Sequence, residues 1–457
     1  MRIRDLFYRV KQVLKQKNNE GCTVSEKMTS GIELWDMMYR NESPWLSKTV
    51  KSCNLPVGIV AEIARLIVLE LQTEVTGSQR ADFINRQYQT LIDNLQSCIE
   101  LACALGGMIF KPYISGKSVE IDCVSADRFF PTEYDAKGDI TAAVFTETKV
   151  IDNMLYIRLE QHRLTGTRYD ITNRAFKQRI WDSNMLNVAT LGNEISLAEV
   201  EEWKGLDEEC SFEGIERPLF AYFKVPSANN IDVSSPLGVS SFARAVQHIE
   251  EADKQWSRLL WEFEGSELAI YADDFALKGV SGTPKLSERL FKPLNISGNG
   301  GADFFKEFSP QIRDKSLLNG FNAILRRIEF DCGLAYGTLS DIDTVDKTAT
   351  EIKASKQRSY TMICSGQRNL KKALEQLVYA IDVWTTLGGL APTGKYEISF
   401  NFGDGVLEDT DKEQQIRIQE VSSGILSKEE YLMWRYGVTK EQAREMLPET
   451  ADMFKGV

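Results

Sequence analysis

The stretch LGVSSFARAVQHIEEADKQWSRLLWEFE, residues 237–264, places Phe242, Val246, Ile249, Trp256, Leu260 and Phe263 at helical spacing. That period predicts one long amphipathic helix. At about 1.5 Å per residue it would run roughly 40 Å. A second such helix is predicted over 311–334, where Leu317, Leu318, Phe321, Leu325 and Ile328 share one side. Between them, 265–310 reads as short strand-like pieces with many glycines, including Ser297-Gly298-Asn299-Gly300-Gly301.

A polar loop with Asp341, Asp343 and Asp346 follows the second helix. A third helix is then predicted from Ala349 to about Leu387. Thr348 and Glu351 have the spacing of a capping box, in which each side chain satisfies a free backbone N–H of the other. Its first turns are nearly bare of apolar residues and carry Lys353, Lys356 and Arg358. Between positions 347 and 375 there are seven Lys/Arg against two Glu, a local charge of +5. An apolar face appears only later, at Ile363, Leu370, Leu374, Leu377, Ile381 and Trp384, and Gly388-Gly389 ends the helix.

Upstream, residues 28–105 read as helical. At Gly106-Gly107 the period changes to two, and strands are predicted at 108–114, 119–124, 141–149, 154–163 and 169–176. Turn residues at Ser115-Gly116-Lys117, Asp152-Asn153 and Thr165-Gly166 separate them, so an antiparallel meander is expected rather than β-α-β units. Residues 396–402 alternate cleanly, with Ile398, Phe400 and Phe402 on one strand face. The tail shows two more capping boxes, Ser427 with Glu430 and Thr439 with Gln442, and helix stops at Gly424 and Gly437. The fold class is α+β.

The chain has 457 residues and a net charge of −12, enough length for several folding units and a poor match to a surface that clamps DNA phosphates. Eight cysteines, at 22, 53, 98, 103, 123, 210, 332 and 364, include no Cys-x-x-Cys pair. They read as reduced thiols made in a cytosol, without zinc spacing. The most apolar segment, 55–71, is broken by Glu62, Arg65 and Glu70, so it is a core helix and not a membrane span. Residues 1–17 form an amphipathic basic helix, expected to pack on its own protein or a neighbour.

No catalytic constellation emerges. His162 falls in a strand and His248 in a helix, with no nucleophile motif beside either. Gly116-Lys117-Ser118 imitates the end of a phosphate loop, but position 111, where its first glycine belongs, is Lys111, and the context is a hairpin. The acidic loops, Asp341, Asp343 and Asp346 in one and Asp404, Glu408, Asp409, Asp411 and Glu413 in another, lack calcium-loop spacing. Neither catalytic residues nor a metal or cofactor are therefore expected. Long one-faced helices without chemistry suggest packing against further copies, and head-to-tail contacts of that kind close into rings.

Four stretches carry a resemblance that spans nearly the whole chain. They are GIELWDMMY at 31–39; DCVSADRFFP at 122–131 with Gly138 and Phe145; YIRLEQH at 156–162 with YDITNRAF at 169–176; and TATEI at 348–352 with FGDG at 402–405 and GILSKEEYL at 424–432. In order and wording they resemble the portal proteins of tailed bacteriophages, particularly long-tailed phages of Gram-positive hosts. The resemblance implies a ring, usually of twelve subunits, at one capsid vertex, with double-stranded DNA passing along its axis during packaging and ejection. It implies an N-terminal arm and wing (1–236), a first stem helix (237–264), a clip (265–310), a second stem helix (311–334), a tunnel loop (335–348), a long helix returning to the wing (349–388), and a strand and helical crown (389–457).

On that mapping Asp341, Asp343, Asp346 and Lys347 would lie in the tunnel loop. Lys353, Lys356 and Arg358 would touch DNA or a neighbouring subunit, and Lys278, Lys285, Arg289 and Lys292 would be the basic residues of the clip. Implied partners are the packaging terminase, which would hydrolyse ATP, the scaffold and major capsid protein, and the head–tail adaptor, with no membrane. The protein would be made in the host cytoplasm and reside in the virion. Two other classes stay open on the sequence: a metal-dependent DNA-processing enzyme with scattered carboxylates, and a capsid or tail-adaptor protein without a channel.

Overall fold

The computed structural model describes residues 3–18, 23–179, 191–266, 269–273, 291–294, 305–308, 311–341, 349–403, 417–436 and 444. Within 1–400, which form one unit, two of the N-terminal helices begin at a serine that caps them, Ser25 and Ser78. Helix α1 (Ile3–Asn18) buries Leu6, Phe7, Val10 and Leu14, and the Phe7 ring meets Phe130 at 4.3 Å. The basic N-terminal helix thus packs on its own protein. Helix α2 (Glu26–Tyr39) is capped by Ser25, whose hydroxyl accepts from the Met28 N–H. Helix α3 (Leu55–Val68) has Pro56 in its first turn, where no N–H is missed.

Strand β1 (Gln72–Thr76), α4 (Gln79–Ile92) and α5 (Leu95–Leu105) follow. The all-helical reading of 28–105 missed β1, a five-residue strand whose partner lies over 300 positions away, at β14 (Glu397–Asn401). Local sequence carries no trace of such a pairing.

Gly106, at φ +97°, ends α5 and starts β2 (Gly107–Ser115). β2 and β3 (Ser118–Ser125) form a hairpin through Gly116, and Ser118 donates to the Ser115 carbonyl, so the Gly-Lys-Ser triplet is a turn as predicted. β4 (Phe129–Tyr134), β5 (Ile140–Ile151), β6 (Met154–Thr165) and β7 (Arg168–Arg179) are antiparallel neighbours, extended by β8 (Asn193–Ile195), while β9 (Glu209–Phe212) also pairs β7. The predicted meander is in fact two sheets. The β2–β3 hairpin joins β10 (Ala221–Lys224) in a separate three-stranded sheet. The missed break is at 126–129, where Arg128 turns the chain and leaves Phe129 and Phe130 buried.

A buried ion cluster lies between these sheets. Lys111 Nζ stands 2.6 Å from Glu160, Arg158 3.1 Å from it, and His162 Nε2 2.7 Å from it, while His162 Nδ1 meets the Tyr169 hydroxyl at 2.8 Å. The neutral imidazole fits as a donor to Glu160 and an acceptor from Tyr169. Burial alone would raise the Glu160 carboxyl, but Lys111, His162 and Arg158 hold it well below the usual range. Burial pushes His162 down, against the pull of Glu160. His162, which sequence reading set aside as catalytic, and Lys111, which stands where a phosphate loop would need glycine, are thereby occupied in the core.

Helix α6 (Val246–Gly265) starts at 246 and not at 237 as the apolar period suggested. Leu237, Val239 and Phe242 are buried, but on non-helical backbone. Gly238 crosses Gly106 so closely that a Cβ on either would strike the other's carbonyl, and the Ser241 N–H donates to Cys103 O at 2.9 Å. Strands β11 (Ala269–Asp273), β12 (Phe291–Leu294) and β13 (Phe305–Phe308) form one small mixed sheet.

Helices α7 (Asp314–Cys332) and α8 (Ala349–Leu387) follow, the latter 39 residues long as predicted. Ile363, Leu370, Leu374, Leu377 and Ile381 are buried along α8, and Trp384 packs on Phe212 at 5.8 Å. Residues 401–457 form a second unit. In it α9 (Lys428–Tyr436) carries the predicted capping box: the Glu430 N–H donates to Ser427 Oγ at 3.1 Å and the Ser427 N–H to Glu430 at 3.2 Å. Gly424 has φ +76°, a helix stop. The box at Thr439 and Gln442, Gly437 and the acidic run 404–413 lie outside the described residues.

Candidate functional site: the helical hairpin and its turn

Helices α6 and α7 pack antiparallel because their apolar stripes face each other. Trp256 meets Phe321 at a ring separation of 5.8 Å, and Gln255 donates to the Leu317 carbonyl. At the end next to 265–310, Arg313 clasps Glu262: Nε at 3.0 Å and Nη2 at 2.7 Å from the carboxylate, with the Arg313 backbone N–H also donating at 3.2 Å. The Arg313 hydrogen bonds hold Glu262 below the usual carboxylate range. At the other end His248 faces Asp331 at 3.0 Å, and Arg327 reaches the same carboxylate at 3.2 Å.

Two further carboxylates, besides Glu262, are buried in this hairpin. Asp253 is 2% exposed and accepts from Trp45 Nε1 at 2.8 Å and from the Cys53 N–H at 2.7 Å, which fastens the 45–53 loop to α6. Glu329, fully buried, accepts the N–H groups of Gly337 at 3.0 Å, Leu339 at 2.7 Å and Ser340 at 2.9 Å, and the Ser340 hydroxyl at 3.0 Å. A side chain thus organises the turn leaving α7. Sequence reading missed both. The signal was present: 253 follows Ile249 by four, and 329 follows Leu325 by four, so each is an acid at a core position, which must be satisfied if buried.

Of the predicted loop residues, Asp341 is exposed and tied back to α7: its N–H donates to Asn322 Oδ1 at 3.1 Å, and Asn322 Nδ2 donates to its carboxylate at 3.3 Å. Asp343, Asp346, Lys347, Lys278, Lys285 and Arg289 lie outside the described residues. Lys292 is placed on β12, and Lys353 and Lys356 in the first turns of α8, by backbone only. Arg358 lies over Phe330 at 4.4 Å and Tyr336 at 5.6 Å, so α8 is stacked on the turn at its first described side chains. Among the described residues no group of three His, Cys, Asp or Glu could hold a metal ion, and no helix is long and apolar enough to cross a membrane.

The hairpin also leaves apolar side chains in solvent. Near its clasped end Trp261 is 66% exposed, Phe263 46%, Ile312 46% and Leu318 40%. What the fold and this site define is an α+β chain with an antiparallel, internally clasped helical hairpin and a turn after it organised by a buried carboxylate. The family model for phage portal proteins, SPP1 Gp6-like, matches residues 52–453, and the chain belongs to that family. No curated protein matches it.

Proposed function

We propose that this portal protein assembles side by side into a ring of twelve copies, with α6 and α7 as the stem around a channel for double-stranded DNA at one capsid vertex. On this reading 1–236 is the arm and wing, 237–264 and 311–334 the stem, 265–310 the clip, 335–348 the tunnel loop, 349–388 the helix returning to the wing and 389–457 the crown. The role is structural, with ATP hydrolysis left to the terminase. That motor and then the head–tail adaptor would dock on the clip and its Lys278, Lys285, Arg289 and Lys292. The scaffold and major capsid protein surround the ring, which is made in the host cytoplasm and retained in the virion. Asp341, Asp343 and Asp346 present like charge to phosphates, so DNA slides without being held.

The observation that carries this reading is the exposed apolar set Trp261, Phe263, Ile312 and Leu318 on a hairpin already packed and clasped within itself. Apolar side chains left over once the hairpin has satisfied itself call for a further surface, and a second copy supplies one. Negative-stain microscopy with mass photometry tests it. The expected result is rings of about a dozen subunits with a bore on the order of 20 Å, wide enough for a duplex. Trp261→Glu should shift the population to monomers while leaving circular dichroism unchanged. Shells, or rings closed at the axis, would overturn the proposal.

A further inference from the structure

We infer that Cys98 and Cys123 are a dithiol pair that closes to an intramolecular disulfide, locking α5 to β3. Cys98 stands on α5 and Cys123 on β3, opposite Phe110 of β2. Their sulfurs lie 3.0 Å apart, and the Cys98 thiol donates to the Cys123 sulfur. A disulfide of about 2.05 Å needs about 1 Å of further approach, a small change of side-chain torsions. Both residues are partly open to solvent, so a small reagent reaches them, whereas Cys103 and Cys332 are buried.

The two sulfurs are also unequal. The contact with the Cys123 sulfur lowers the Cys98 thiol, against burial and the nearby Asp122, while the Cys98 contact and burial push Cys123 up. By contrast burial holds Cys103 up at about 12 and keeps it inert. Cys98 is therefore the attacking thiolate and Cys123 the resolving thiol. With a low-molecular-weight disulfide such as oxidised glutathione as oxidant, the Cys98 thiolate attacks one sulfur, forming a mixed disulfide and releasing one glutathione thiolate. Cys123 loses its proton and attacks the Cys98 sulfur, releasing the second. Two protein thiols are oxidised and one glutathione disulfide is reduced to two thiols.

The pair would stay open in a reducing cytosol and close outside it. That timing, unlike the chemistry, rests on the proposed virion role. The bond would close a loop between positions separated by 25 residues.

The test uses the purified full chain, treated with oxidised glutathione at pH 8 and then with dithiothreitol. The expected product has lost the mass of two hydrogens and yields a cross-linked Cys98–Cys123 peptide. Its unfolding midpoint should rise on the order of 5 °C and fall back on reduction. Cys98→Ser and Cys123→Ser should each stop at a glutathione adduct on the remaining cysteine, without the rise. Separate adducts on both cysteines of the unmutated chain, or cross-links that bypass them, would overturn the inference. Mass photometry on the same samples reads ring assembly independently, so failure of the ring and failure of the disulfide are distinguishable.

Discussion

Replacing Glu329 by alanine should release the turn after α7 without unfolding the protein. The carboxylate accepts three backbone N–H groups, at 337, 339 and 340, and the Ser340 hydroxyl, all within 3.0 Å. Glu329→Ala leaves three backbone donors and the Ser340 hydroxyl without this acceptor, at about 1–3 kcal/mol for each group left unsatisfied and buried. Water entering the vacated space offsets part of that, so about 3 kcal/mol is the working figure. It corresponds to roughly 100-fold easier local opening.

Glu329→Gln keeps the shape and an acceptor oxygen but loses the charge, and should cost about 1 kcal/mol, some fivefold. Hydrogen exchange read by mass spectrometry on peptides covering 333–341 measures both. The expected order is wild type slowest, Gln intermediate, Ala fastest, with α4 and α5 unaffected. Equal protection of all three over 333–341 would show that the carboxylate does not hold the turn. Equal loss in Gln and Ala would show that charge, not the acceptor geometry argued here, is what matters. In the ring we propose, this turn sets where the tunnel loop begins. Glu329→Ala should therefore disturb packaging while rings still form.

Arg80 offers a second test. It is 1% exposed, pairs with Asp382 at 2.6 Å, donates to Ala391 O at 2.9 Å and reaches the Asp382 carbonyl and Thr386, so one guanidinium satisfies the C-terminal end of α8. Arg80→Ala should cost about 3 kcal/mol, read as a lower urea midpoint at unchanged slope; an unmoved midpoint refutes the role. The buried cluster predicts acid sensitivity in two windows. His162 titrates below its ordinary 6.5, so the unfolded chain takes up that proton first and stability falls as pH drops below about 6.5. Glu160 titrates well below 4.5, so its contribution is full above that value and is lost as pH falls from there through its folded pKa. Thermal unfolding from pH 8 down to about 2 should decline in both windows, and His162→Gln should flatten the upper one. A flat profile in the unmutated chain refutes this account of the cluster.

The long helices were legible in the sequence because each has an apolar period over many turns. Five of the six strands from 107 to 179 were legible because alternation and Gly or Asn turns agree; β4 was missed, since Phe129, Phe130, Pro131 and Thr132 are buried in a row without alternation. Strands β1, β8, β9 and β10 were not legible either: they span three to five residues, too few for a period, and exist because a distant strand supplies their hydrogen bonds. The start of α6 was misread for a related reason. Leu237, Val239 and Phe242 are as apolar as a helix face requires, yet they are buried by an extended crossing over Gly106, which composition does not encode. At the hairpin, sequence reading weighed exposed acids and cations, whereas the structure's most constrained acids are the buried Asp253 and Glu329.

The basic, apolar-poor start of α8 is now partly explained. A helix entering from a polar loop has no core to meet, so an apolar stripe there would be exposed at a cost. Arg358 supplies the first described contact instead, its guanidinium over the rings of Phe330 and Tyr336, before Ser359 and Ile363 enter the core. Phe330 is also covered by Arg327 at 5.0 Å, so two cations share one ring that is itself 43% exposed. This anchoring divides the cations proposed for DNA or neighbour contact. Arg358 is committed to its own chain, and a duplex in the channel or an adjacent copy would be met by Lys347, Lys353 and Lys356. The Thr348–Glu351 box lies outside the described side chains, so the arginine stack is the contact that lets the helix start without an apolar stripe, and the stripe takes over from Ile363 onward.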